Sequence, residues 1–179
     1  SQISRFLPSI GNYIYGISNN SIWVNLFIGN TTEISIDNQK VTLKEETNYP
    51  WDGIVNLSIN AERPVNKDLR IRIPGWCHKY SLSVNGENKS FGKEKGYVVI
   101  SNWKPGDKIT LDMDMPVEMV SADPRVKQDV GKRAIQRGPL VYCMEEMDNN
   151  HGFSKLALTK NSTFDIEKEE ILPGVTHVI

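Results

Sequence analysis

Cysteine is nearly absent from these 179 residues: only Cys77 and Cys143 occur, too few for a disulfide scaffold, and they leave the compartment open. Long apolar runs are missing as well. No stretch reaches the about 20 residues needed to cross a bilayer. Ser1 opens without a basic-then-apolar leader, so no membrane partner is expected. An excess of one charge is also lacking. The 21 Lys and Arg face 22 Asp and Glu, for a formal net charge of −1, and neither half is a basic patch, which argues against nucleic acid. Glycine-rich phosphate loops, dinucleotide fingerprints and the G-x-S-x-G nucleophile elbow do not occur. What is present, 39% hydrophobic and 24% charged side chains, is the composition of a globular chain that can bury a core.

One segment has a helical period. Ile3, Phe6, Leu7, Ile10, Ile14 and Ile17 recur at three- and four-residue steps, which predicts an amphipathic helix over 3–17. Pro8 demands that this helix either start there or kink there. Ser18 to Ser21 break it, and the period then drops to 2.

Short β-branched and aromatic runs follow, punctuated by turn residues. Strands are expected over 22–28, 31–36, 40–46, 54–60, 69–73, 81–84, 97–100, 108–113, 117–121, 130–136 and 140–145. Asn85-Gly86 is a strong hairpin signal because both residues tolerate positive φ, and Pro105-Gly106 suits the centre of a type II turn. Many short strands with frequent turns predict an all-β fold, an antiparallel jelly-roll-like β-sandwich preceded by one short helix. The composition shift at Ser18 to Ser21 marks the expected domain boundary.

Candidate chemistry is sparse. A glycosidase needs two carboxyl groups across a cleft. Asp112 and Asp114 alternate with Leu111, Met113 and Met115, so they are expected on a solvated sheet face. Glu45-Glu46 and Glu169-Glu170 are neighbours that point to opposite sides of a strand and make no dyad. Cys77-His78 pairs a thiol with an imidazole, but no further Cys or His lies at zinc-ligand spacing, and a structural role is the simpler reading. Cys143, between Val141 and Met144, reads as a small buried hydrophobe. A Cys77–Cys143 bridge would require Cα atoms within about 7 Å. Catalytic and metal-binding residues are therefore not assigned. Tyr49-Pro50-Trp51-Asp52-Gly53 is the one recognition-like loop: Trp51 can stack on a sugar while Asp52 accepts its hydroxyls, against the plainer reading of a Trp wedged over the sandwich end. Trp76 and Trp103 are read as packing residues.

Several strings taken together resemble one family. They are Arg5-Phe6-Leu7-Pro8-Ser9-Ile10 with Tyr13-Ile14-Tyr15, then Trp23-Val24-Asn25-Leu26-Phe27-Ile28-Gly29, then Glu46-Thr47-Asn48-Tyr49-Pro50-Trp51-Asp52-Gly53. Leu69-Arg70-Ile71-Arg72-Ile73-Pro74-Gly75-Trp76-Cys77, Gly96-Tyr97-Val98 before Trp103, Met115-Pro116-Val117 and Gln136-Arg137-Gly138-Pro139-Leu140-Val141-Tyr142-Cys143 continue the series. In order and spacing these resemble glycoside hydrolase family 127, the β-L-arabinofuranosidase family.

The resemblance implies a chain that follows an (α/α)6-barrel catalytic domain, with residues 1–20 as the last barrel helix and 21–179 as β-sandwich. Family members continue beyond a point resembling Leu172-Pro173-Gly174-Val175. It also implies that the cysteine nucleophile, the glutamate acid/base and the zinc belong to the barrel. No catalytic residue, metal ligand or cofactor is carried onto this chain, which is expected to be inactive alone while the longer protein is a glycoside hydrolase. The expected role is a non-catalytic sandwich bracing its own catalytic barrel. The alternatives are an independent carbohydrate-binding module with oligosaccharide at Trp51 and Asp52, and a structural or adhesion-type sandwich.

Overall fold

The computed structural model describes residues 2–144, 157–159, 162–168 and 176–178. The Glu169-Glu170 pair, the Leu172 to Val175 string and the end of the strand expected at 140–145 lie outside the described residues. The chain divides into two compact units, residues 1–114 and 115–179.

The first unit opens with α1 (Gln2–Phe6), a 3-10 turn at Leu7–Ser9, α2 (Gly11–Ile14) and β1 (Tyr15–Ile17). The predicted single helix is thus broken at Pro8, which has no N–H to continue the ladder and lies at the start of the 3-10 turn. Its last residues are taken by a sheet instead, with Tyr15, Gly16 and Ile17 pairing with Val24, Trp23 and Ile22. Of the predicted apolar stripe, Ile14 is buried at 7% exposure, while Ile3, Phe6 and Leu7 are 70%, 51% and 58% exposed.

Ten more strands complete this unit: β2 (Ser21–Val24), β3 (Asn30–Ile36), β4 (Gln39–Thr47), β5 (Ile54–Ala61), β6 (Asp68–Arg72), β7 (Tyr80–Val84), β8 (Glu87–Asn88), β9 (Lys93–Glu94), β10 (Tyr97–Ile100) and β11 (Lys108–Met113). They form a five-stranded sheet, β1-β2-β6-β10-β9, and a six-stranded sheet, β3-β4-β5-β11-β7-β8. Every pairing is antiparallel except β2 with β6, where Ser21 to Val24 run parallel to Asp68 to Ile71. Alternation faces Ile22, Leu69, Ile71 and Val98 of one sheet toward Leu43, Val55, Leu57, Ile109 and Leu111 of the other in one core cluster. Each of these large side chains gains about 1.5–3 kcal/mol from burial. The fold is the all-β antiparallel sandwich with a short helical lead that the strand pattern predicts.

Turn chemistry sets the registers. Asn85 and Gly86 take φ of 54° and 83°, closing the β7–β8 hairpin with Val84 opposite Glu87. Asp37 and Asn38 do the same between β3 and β4, with φ of 50° and 58°. Gly106 has φ of 91° and Asp107 N–H donates to Lys104 O at 3.0 Å, which is the predicted turn before β11.

The second unit contains β12 (Val117–Val120), β13 (Ala134–Arg137) and β14 (Leu140–Tyr142) in a three-stranded antiparallel sheet. β15 (Ile166–Lys168) pairs antiparallel with β16 (Thr176–Val178). The strand expected from residue 130 starts later, because a 3-10 turn at Lys127–Asp129 and Gly131 at φ 82° occupy the approach. One residue departs from expectation: Cys143 is exposed, not buried. β14 is an edge strand that ends at Tyr142, so Cys143 has already left the sheet.

Candidate functional site

The Tyr49 to Gly53 loop links β4 to β5 and is anchored from both ends. Thr47 Oγ1 donates to Ile54 O at 2.6 Å and receives the Tyr49 N–H at 3.0 Å. The Tyr49–Pro50 peptide is cis. Tyr49 lies edge-on to Phe27 at 5.5 Å between centroids and stacks on Trp76 at 6.4 Å, and burial pushes its phenol up. Gly53 O accepts the Met113 N–H at 3.0 Å, and a Cβ on Gly53 would strike the Met113 carbonyl oxygen, so only glycine lets the loop approach β11 this closely.

Trp51 and Asp52 occupy the tip of this loop, both half-buried. Trp51 N–H donates to Asn48 O at 2.9 Å, and Asp52 Oδ1 accepts the Ile54 N–H at 3.1 Å, an Asx-type turn that holds the tip. Asp52 borders a shallow depression of about 280 Å³ with Glu46, Thr47, Asn48, Ile54 and Asn56, and Trp51 is not among its lining residues.

The other candidates are placed as follows. Trp103 is buried at 4% exposure and its indole N–H donates to Lys67 O at 2.7 Å, a packing role. Trp76 packs against the core cluster. Cys77 and Cys143 are both free. Cys77 Sγ lies 3.2 Å from Lys79 O, and burial pushes its thiol up, the wrong direction for a nucleophile. Among the described residues no three His, Cys, Asp or Glu side chains gather into a metal-holding group, so they do not fit a zinc site. Asp112 and Asp114 are exposed while Leu111 and Met113 turn inward, as alternation requires.

Among the described residues Glu45 is the one buried carboxyl, a residue whose sequence neighbourhood shows only an adjacent acidic pair that makes no dyad. Glu45 occupies a core-facing position of β4, in step with Val41 and Leu43, and is 2% exposed. A relay leads to it. Thr32 Oγ1 donates to Asn30 Oδ1 at 2.9 Å, Asn30 Nδ2 donates to Tyr15 Oη at 3.1 Å and to Ile28 O at 2.6 Å, and Tyr15 Oη donates to Glu45 Oε2 at 3.3 Å. Oε1 has no hydrogen-bond partner among the described residues. Desolvation is the largest influence, only partly offset by the Tyr15 hydroxyl and the Ile28 backbone, and the carboxyl is pushed up to about 7. Burial likewise pushes the Tyr15 phenol upward. The alternation Val41, Leu43, Glu45 is the sequence signal that points at this residue.

Comparison with known proteins agrees with the strand architecture. The model of the "Beta-L-arabinofuranosidase, GH127 middle domain" matches residues 21–115, and that of the "Glycoside hydrolase family 127 C-terminal domain" matches residues 117–173. The non-reducing end β-L-arabinofuranosidase of Bifidobacterium longum subsp. longum is 35% identical over 156 residues, covering 83% of this chain and 23% of that protein. A GH127 β-L-arabinofuranosidase crystal structure from Geobacillus stearothermophilus T6 superposes with a TM-score of 0.89 at 38% identity, over 94% of this chain and 27% of the other. A second solved GH127 β-arabinofuranosidase gives 0.90 at 33% identity, over 98% of this chain and 31% of its own. The chain thus spans less than a third of the length of each of these relatives. With two family domains matched in succession and the same fold in both solved relatives, the chain belongs to glycoside hydrolase family 127.

Proposed function

We propose that this chain is the β-sandwich part of a β-L-arabinofuranosidase-type glycoside hydrolase, and that it braces a catalytic barrel while carrying no chemistry of its own. The observation that carries this reading is the leading segment. β1 ties it into the five-stranded sheet through three residue pairs, and Tyr15 ties it to Glu45, yet Ile3, Phe6, Leu7 and Tyr13 stand 51–70% exposed beside it. The Phe6 and Tyr13 rings lie 6.0 Å apart between centroids, tilted by 37°. A segment so firmly held with its apolar side chains uncovered is built to take a partner surface. In this reading the partner is the chain's own barrel, which also holds the zinc and the nucleophile.

Within the same reading Trp51 and Asp52 edge the oligosaccharide bound by the whole enzyme. Asp52 Oδ1 is spent on the Ile54 amide, leaving the other oxygen for a hydroxyl.

The test compares this chain with a longer protein that carries the barrel. Ile3→Ser with Phe6→Ser should lower the melting temperature and the arabinofuranosidase activity of the longer protein and leave the melting temperature of the 179-residue chain nearly unchanged. Equal effects on both would overturn the brace. The chain alone should not hydrolyse an aryl β-L-arabinofuranoside, because a retaining mechanism needs two groups about 5 Å apart with matched roles. Turnover that survives repurification would contradict that.

A further inference from the structure

The sandwich has a mouth where one edge of each sheet is joined by a crossing segment. After β8, at the edge of the six-stranded sheet, the chain crosses to β9, at the edge of the five-stranded sheet. Both ends of the crossing are pinned: Lys89 N–H donates to Leu82 O at 3.0 Å, and Val99 N–H donates to Gly92 O at 3.0 Å. Between them opens a cavity of about 400 Å³ whose walls include Leu82 of one sheet and Val98 of the other. That volume lies in the range of about 300–1,000 Å³ typical of small-ligand sites.

Its lining is divided in kind. Tyr80 and Phe91, both partly buried against the core cluster, contribute aromatic surface. Ser81, Asn88 and Ser90 contribute hydroxyl and amide groups that make no side-chain hydrogen bond within the described residues. Lys89 is paired with Glu87 at 3.3 Å, which cancels charge at the rim.

An apolar floor beside neutral hydroxyl and amide groups matches one ligand class: an uncharged ring compound with an apolar face and a hydroxyl periphery. We propose that the cavity between the β7–β8 hairpin and the β9–β10 edge binds a neutral oligosaccharide, with Tyr80 and Phe91 against the ring faces and Ser81, Asn88 and Ser90 on the hydroxyls. Neither Trp51 nor Asp52 is among the lining residues.

The experiment is a ¹⁵N nuclear magnetic resonance titration of the 179-residue chain with arabino-, xylo- and gluco-oligosaccharides. The expected result is amide shifts confined to residues 80–82 and 88–91 with at least one of the three glycans. Asn88→Ala should weaken binding about three- to tenfold, the worth of one exposed hydrogen bond to a sugar, and Phe91→Ala more, with Trp51→Ala leaving the affinity unchanged. Should Phe91→Ala not fold, Ser81→Ala combined with Asn88→Ala alters only exposed positions and gives the same reading. No shifts in these segments with any glycan up to its solubility, or shifts that persist unchanged in the Ser81/Asn88 variant, would overturn the proposal. Loss of this binding would leave the brace test untouched, and failure of the brace would leave this binding intact.

Discussion

Residues 1–114 and 115–179 are written with the same alternation of apolar and polar residues, yet burial treats them differently. In the first unit two sheets face each other, and Val41, Val55, Leu69, Ile71 and Leu111 are fully inaccessible. In the second, Met115 is the one buried hydrophobic among the described residues, while Val130 and Val141 stand 69% and 68% exposed. The same strand signal therefore means different things energetically. A period of 2 commits one face to be apolar, and only a second layer turns that face into stability.

Truncation separates the two regions most sharply. Leu111→Ala, inside the closed sandwich, should cost about 2–5 kcal/mol because it leaves a cavity that rigid neighbours on both sheets cannot refill. Val141→Ala should stay within about 0.5 kcal/mol, as at other exposed positions. Urea denaturation of both variants checks this, and a comparable loss at Val141 would break the comparison.

Next in size is the pH dependence built in by Glu45. Its folded pKa of about 7 lies above the ordinary 4.5, so the folded state holds the proton more tightly than the unfolded one. The stabilising contribution is complete below about pH 4.5 and is lost as pH rises through about 7, a loss of a few kcal/mol at most. The melting temperature should fall between about pH 5 and pH 8, and Glu45→Gln should flatten that part of the profile. A slope unchanged in Glu45→Gln would assign the dependence to other groups.

Gly53→Ala tests the contact between the loop and β11. Its Cβ would meet Met113 backbone, which cannot move aside like a flexible side chain, so a loss of about 1–3 kcal/mol is expected in thermal denaturation. Gly75→Ala, where nothing stands near the added Cβ, is the control and should change little. Smallest of all is Lys40→Ala. The Lys40–Glu33 pair is short, 2.8 Å, but 72% and 58% exposed, and its removal should leave the denaturation midpoint in place.

Much of this was legible in the residues, and the reasons are local. Asn85-Gly86 and Pro105-Gly106 announce their turns because few other residues accept those dihedrals. The longer strands of the first unit are readable from alternation to within a residue or two, but the 22–28 run is too long for β2, and alternation names neither β1 nor the two-residue β8 and β9. The leading segment was harder to read. Its three- and four-residue steps suggest one helix, yet Tyr15 to Ile17 pair with β2, because sheet hydrogen bonds with a neighbouring strand outweigh a weak helical preference at Gly16. Cys143 departs from its sequence pattern for a related reason: its apolar neighbours suggest burial, and the edge position of β14 leaves it exposed.

The candidate sites divide along the same line. The Trp51-Asp52 tip is visible as a string, and so is the aromatic content around it. That Tyr49 is wedged between Phe27 and Trp76, and that Gly53 is locked to Met113, are facts about residues far apart in the chain. Tyr15, Asn30 and Glu45 are likewise drawn together from three strands, and the cavity at Tyr80 and Phe91 exists only because two sheet edges part there.

By itself, then, the sequence determined the strand grammar, the turns and the family kinship, because these depend on dihedral preferences, on side-chain period and on short strings read in order. Only the tertiary structure decided which apolar faces find a second layer, which carboxyl is stripped of water at Glu45, and where the sheets leave a mouth. Burial and desolvation are set by what stands opposite a residue, and what stands opposite is supplied by distant parts of the chain.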